Sequence, residues 1–93
     1  MDDTKALRDV LEERKRQDKK FGQQDHDPFV YLNVLMEEVG ETSQAALQTV
    51  FGGDEGGLDH LRKEAVEVAA VALAIVECLD RGQWSWGKYG PKG

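Results

Sequence analysis

Apolar positions recur three and four residues apart over most of this chain, in three stretches separated by two polar breaks that contain glycine. That spacing is the mark of an amphipathic helix. The first stretch carries a narrow stripe, Ala6, Leu7, Val10 and Leu11, and opens on Asp2, Asp3 and Thr4, all good N-cap residues. It predicts a helix to about Lys20, stopped by Phe21-Gly22 with the glycine just past the end. From Glu12 to Lys20 the stretch is almost wholly charged and reads as a solvated face. The second stretch begins at Asp27-Pro28, an acid placed to cap and a proline at the first helical position. It runs to about Phe51, with Phe29, Leu32, Leu35, Met36, Val39, Leu47 and Val50 at helical spacing.

The third stretch runs from Leu58 or Asp59 to Arg81 and holds nine consecutive apolar residues, Val68 to Val76. A helix apolar on every side must be covered on every side. Two short helices of the same small chain offer little cover, so the pattern predicts self-association, with this helix near the core of a homodimer or homotetramer. No strand pattern and no internal repeat is present. The expected fold is all-α: a helical hairpin core plus an N-terminal helix over residues 1–82, assembling as an oligomeric helix bundle. Residues 83–93 form an aromatic and basic tail, with Trp84, Trp86 and Tyr89 beside Lys88 and Lys92 and no acid. A tail that spends two tryptophans is expected to pack on the body or on a partner subunit.

The break Gly52-Gly53-Asp54-Glu55-Gly56-Gly57 lacks the lysine and Ser/Thr of a phosphate-cradling loop, and no strand precedes it. It reads as a helix–helix connection. Ninety-three residues make one domain. The net charge of −6 excludes nonspecific binding to a nucleic-acid backbone, and an anionic ligand would need a cation as intermediary. Cys78 is the single cysteine, so no internal disulfide framework exists and a reducing compartment fits. The acidic start lacks the apolar stretch of a signal peptide, and no apolar run approaches the roughly 18 residues of a membrane span. A cytoplasmic protein with no membrane partner is expected.

The candidate chemistry lies in the acids. Glu38 and Glu41 share a helix face one turn apart, and Glu64 and Glu67 repeat the spacing in the next helix. Both pairs sit among apolar neighbours, where bare carboxylates are costly unless paired or bound to metal. Antiparallel packing would gather all four around a hard cation, and an oxygen-only set suits Mg²⁺ or, as a substitute, Mn²⁺. Gly40, between the first two acids, leaves room for close approach by a neighbouring helix or a ligand at a cost of up to about 1 kcal/mol relative to Ala. His60 lies one turn before Glu64, but no cysteine or second histidine stands at zinc-ligand spacing.

Glu37-Glu38-x-x-Glu41 followed by Glu64-x-x-Glu67 resembles the EExxE…ExxD signature of MazG-like, all-α nucleoside triphosphate pyrophosphohydrolases. Arg16-Gln17-Asp18-x-Lys20-Phe21-Gly22 looks like the RQDxKWG segment of a short subgroup, with Phe21 in place of Trp, and Val68-Ala69-Ala70-Val71-Ala72 resembles the helix that follows its second acidic pair. The resemblance covers about Glu12 to Arg81. The family's last Asp is Glu67 here. Glu77-x-x-Asp80 matches ExxD literally, but it begins about 20 Å along the helix from Glu64. The resemblance implies metal-dependent hydrolysis of a nucleoside or deoxynucleoside triphosphate to monophosphate and pyrophosphate. It implies Glu38, Glu41, Glu64 and Glu67 as metal ligands, Glu37 orienting a ligand or the water, and Glu41 or Glu38 as base. Gln17, Lys20 and Phe21 are then substrate-side residues, joined by Trp86 and Lys88 of the tail closing over a neighbouring subunit's site. The alternative is a non-catalytic helical oligomerisation or interaction module that keeps the same fold.

Overall fold

The computed structural model describes residues 3–22, 28–52 and 57–82 as three helices: α1 (Thr4–Phe21), α2 (Pro28–Phe51) and α3 (Gly57–Arg81). Among the described residues no strand occurs, and the all-α expectation holds. No described helix is long and apolar enough to cross a membrane. Gly22 ends α1 in the left-handed region at φ 73°, and its N–H donates to the Asp18 carbonyl at 2.7 Å, as a helix-ending glycine should. Asp3 is the N-cap residue of α1 without a side-chain capping bond.

α3 is the shared floor. Both α1 and α2 pack on it, and among the described residues they make no close backbone approach to each other. α2 and α3 form an antiparallel hairpin whose buried residues include Tyr31, Ala45, Ala70, Val71 and Cys78. Thr42 and Thr49, half-buried on the same side of α2, turn their hydroxyls back onto the carbonyls of Glu38 (2.8 Å) and Ala45 (2.9 Å). That satisfies two polar groups without help from another helix.

One packing expectation is corrected, and α2 turns its larger apolar residues outward. The apolar run of α3 does find cover within the chain: of Val68 to Val76, Ala70 and Val71 are buried, five residues are half-buried, and only Ala69 and Val76 are exposed. The run lies between two helices that pack on it from different sides, so it does not by itself call for a second chain. In α2 the large residues at helical spacing point the other way. Phe29, Leu32, Met36, Val39, Leu47 and Val50 are all exposed, and of that set only Leu35 is half-buried. The face against α3 is made instead by smaller or polar residues, Ala45, Thr42 and Thr49 among them, together with Tyr31 and Val34. Small side chains let the two backbones approach.

α1 docks through part of its charged run, not its leucines. Leu7 and Leu11 are more than half exposed, whereas Val10, Glu13, Arg14 and Gln17 are half-buried. They occupy the i, i+3, i+4, i+7 positions of one face. Arg14 Nε donates to Glu77 Oε1 at 2.8 Å, and Arg62 Nη2 donates to Asp9 Oδ2 at 2.8 Å, so ion pairs tie α1 to α3 at two points. Burying these charges is possible because each meets its opposite.

The hairpin's dependence on small residues is testable. Ala70 is fully buried. Ala70→Leu forces extra methylenes between packed helices and should cost about 1–3 kcal/mol in urea unfolding. Ala69→Leu, at an exposed neighbour, should be near neutral.

Candidate metal centre

The hairpin brings the four predicted glutamates together. One carboxylate oxygen from each of Glu38, Glu41, Glu64 and Glu67 lies within 4.8 Å of all the others. Glu38, Glu64 and Glu67 are half-buried, and Glu41 is exposed at the rim. On two of these side chains one oxygen, Glu38 Oε2 and Glu64 Oε2, is buried without any hydrogen-bond partner. A buried carboxylate oxygen with no donor is costly, and here two such atoms belong to one converging set.

The electrostatics follow from that crowding. Burial, then the charges of Glu41, Glu67 and Glu64, push the Glu38 carboxyl up to about 7. Glu67 is also raised, by burial and by its neighbour Glu64. An oxygen-only set of four acids with unsatisfied inward atoms fits a hard divalent cation, Mg²⁺ or Mn²⁺, better than a soft one. His60 Nε2 stands 3.9 Å from Glu64 Oε1, an ion-pair distance at the cluster's edge, and among the described residues the converging set consists of glutamates alone.

A cleft of about 460 Å³ opens beside the cluster, where the backbones of α1 and α2 stay apart among the described residues. Its volume is in the range of small-molecule sites. Glu38 and Glu67 form its acidic end, and Tyr31, Val34, Val71 and Ala74 give it an apolar stretch. Gln17 and Lys20 line it, as the sequence predicted for substrate-side residues. The Phe21 side chain, Trp86 and Lys88 lie outside the described part of the structure. Glu37 is exposed and belongs neither to the converging set nor to the cleft wall. Glu77 lines the cleft but is not in the converging set; it pairs with Arg14.

Several lining residues were not offered as site residues by the sequence, Glu13, Arg14, Tyr31 and Val34 among them. Arg16 grips Glu13 with two bonds of 2.7 and 2.6 Å, and this hydrogen bonding holds the Glu13 carboxyl below its usual range. Arg14 is engaged at all three nitrogens, donating to Glu77, to Gln17 Oε1 at 3.2 Å and pairing with Asp18 at 3.1 Å. The signal for the α1 residues was the 10, 13, 14, 17 spacing, masked by the uniform charge of the run around it. No protein-family model, curated protein or solved structure matches the chain.

A carboxyl whose folded-state pKa lies above its ordinary value stabilises the fold while protonated. For Glu38 that contribution is complete below the ordinary 4.5 and is lost as pH rises through about 7. With a chelator present, the melting temperature should therefore fall between about pH 5 and about pH 8 through this group. Glu38→Gln should flatten the profile and raise the melting temperature at the alkaline end. An unchanged slope in Glu38→Gln would show that the crowding is relieved elsewhere.

Proposed function

We propose that Glu38, Glu41, Glu64 and Glu67 hold Mg²⁺, with Mn²⁺ as a substitute. We further propose that the adjoining cleft takes a nucleoside or deoxynucleoside triphosphate for hydrolysis between its α and β phosphates. The observation that carries the metal is the four-carboxylate convergence with two buried, unpartnered oxygens. The nucleotide reading adds the resemblance to MazG-like pyrophosphohydrolases and a cleft that joins the acidic end to an apolar stretch. When bound, the divalent ion offsets phosphate charge and lets an acidic site receive an anionic substrate.

The chain's own residues supply the remainder. To Glu41, the exposed member of the set, we assign the role of base, accepting the proton of the attacking water at its carboxylate. The water oxygen bonds to phosphorus, the bridging oxygen leaves with pyrophosphate, and nucleoside monophosphate remains. Tyr31, Val34, Val71 and Ala74 give the sugar and base an apolar surface, while Gln17 and Lys20 contact the polar parts of the substrate. Glu37 is exposed and outside both the converging set and the cleft wall; the resemblance gives it the role of orienting a ligand or the water. Clearance of unwanted nucleotides in the cytoplasm is the role that fits such an activity.

The test is pyrophosphate release from a panel of NTPs and dNTPs, with Mg²⁺ or Mn²⁺ and with chelator. Wild type should release pyrophosphate only with metal, and Glu41→Gln should lose at least about 100-fold, the usual contribution of a positioned base. Mg²⁺ should also raise the melting temperature of wild type by mass action, and Glu64→Gln should lose that gain. Metal stabilisation without release from any nucleotide would keep the metal centre and reject the substrate. Neither effect would leave the helical interaction module as the reading.

A further inference from the structure

The two ends of the cleft differ in chemistry. On α3 its floor is Glu67, Val71, Ala74, Glu77 and Arg81, spaced three and four apart, so one helix face runs its whole length. The α2 wall follows the same course in reverse, Glu38, then Val34, then Tyr31. One end is the glutamate cluster, and the middle is apolar. At the other end Arg14 of α1 reaches across to Glu77. From Glu67 to Glu77 the helix rises about 15 Å, room for a nucleoside and its first phosphate.

The polar groups of that far end are not equally committed. Arg14, its side chain 12% exposed, spends Nε on Glu77 Oε1, Nη1 on Gln17 and Nη2 on Asp18. Lys20 and Arg81 line the cleft too, each with an interaction of its own. Glu77 is held through Oε1 alone, with its side chain 39% exposed, so Oε2 has no partner among the described residues. An ionised carboxylate accepts and cannot donate. The bond from Arg14 Nε, at 2.8 Å, fixes the direction in which this acceptor faces.

Bases differ in what they show such an acceptor. Cytosine, adenine and guanine carry an exocyclic amino group, a donor, on the edge that pairs in a duplex. Uracil and thymine carry carbonyls there. Their one N–H lies between two carbonyl oxygens, and a carboxylate reaches it only against their repulsion. A nucleotide laid with its phosphates at the cluster and its base along Tyr31 and Ala74 brings this edge to Glu77.

We propose that Glu77, oriented by Arg14, reads the base and selects nucleotides with an exocyclic amino group over those of uracil and thymine. The role of Glu77 rests on the nucleotide reading of the cleft. Arg14 is a positioning residue.

The deciding pair is dCTP and dUTP, alike in size and different on this edge alone. In kcat/KM for pyrophosphate release, wild type should favour dCTP at least about 10-fold, the size of one hydrogen bond to a charged group. Glu77→Gln supplies an amide that can also donate, and should bring the ratio close to one. Asp9→Asn breaks the other tie between α1 and α3, away from the cleft, and should keep the wild-type ratio. If Glu77→Gln fails to fold, Arg14→Lys, which keeps the charge and loses the planar fork, should lower the ratio in its place. A second readout needs neither metal nor hydrolysis: amide resonances of the intact chain titrated with deoxycytidine or deoxyuridine in chelator. Deoxycytidine should bind at least about 10-fold tighter. Equal rates, a preference for dUTP, an unchanged ratio in folded Glu77→Gln, or an equal change in Asp9→Asn would overturn the proposal. No release from any triphosphate rejects the hydrolase and leaves the nucleosides to decide. Tighter deoxycytidine then keeps the base reading, and equal or absent binding ends it.

Discussion

The α2–α3 hairpin is built around a repulsion. Four carboxylates are brought within 4.8 Å of one another, and two of their oxygens point into the protein with nothing to accept from. Only the burial around them makes this tolerable. Ala45 on α2 and Ala70 and Val71 on α3 are buried, and their modest size sets the distance at which the helices meet. Larger residues would spread the hairpin and relieve the acids; smaller ones would give up the burial that holds it closed. The site is thus a by-product of close packing, and its charge can be met by a proton or by a cation.

The two walls of the cleft are attached to the floor by different physics. α2 lies on α3 through apolar and self-satisfied residues, Tyr31, Ala45, Thr42 and Thr49. α1 lies on α3 through Arg14–Glu77 and Asp9–Arg62, with Val10 between them in sequence. Because the backbones of α1 and α2 do not approach closely among the described residues, a cleft opens between them, and it inherits a polar lining from α1 and a mixed one from α2. Acids near Glu38 and the apolar stretch at Val71 and Ala74 therefore share one cleft.

Much of this was legible in the sequence. The helix limits follow from Pro28, Gly22 and the glycine cluster after Phe51, each a strong local signal. The pairing of Glu38 and Glu41 with Glu64 and Glu67 follows from equal spacing on two helices joined by a short break. The orientation of α2 was not legible, because that helix is apolar on two faces and periodicity alone cannot choose between them. The leucine-bearing face looks like the core on hydropathy; the face carrying alanines, threonines and Glu38 won because it permits close approach. In α1 the error ran the other way. Glu13, Arg14 and Gln17 are polar enough to suggest solvent, and only their partners on α1 itself and on α3, Arg16 and Glu77 among them, make them an inward face.

The attachment of α1 bears on how anything enters the cleft. A wall held by hydrophobic contact can open only by exposing apolar surface to water, which is opposed in proportion to the area. A wall held partly by paired charges exposes less: when Arg14 and Glu77 part, water solvates both, and the leucines of α1 are already outside, although Val10 and the α3 surface beneath it would still meet water. α1 is in this sense the side of the cleft whose attachment is most strongly ionic. Its grip weakens as salt screens the pairs, while the hairpin that carries the glutamates stays shut.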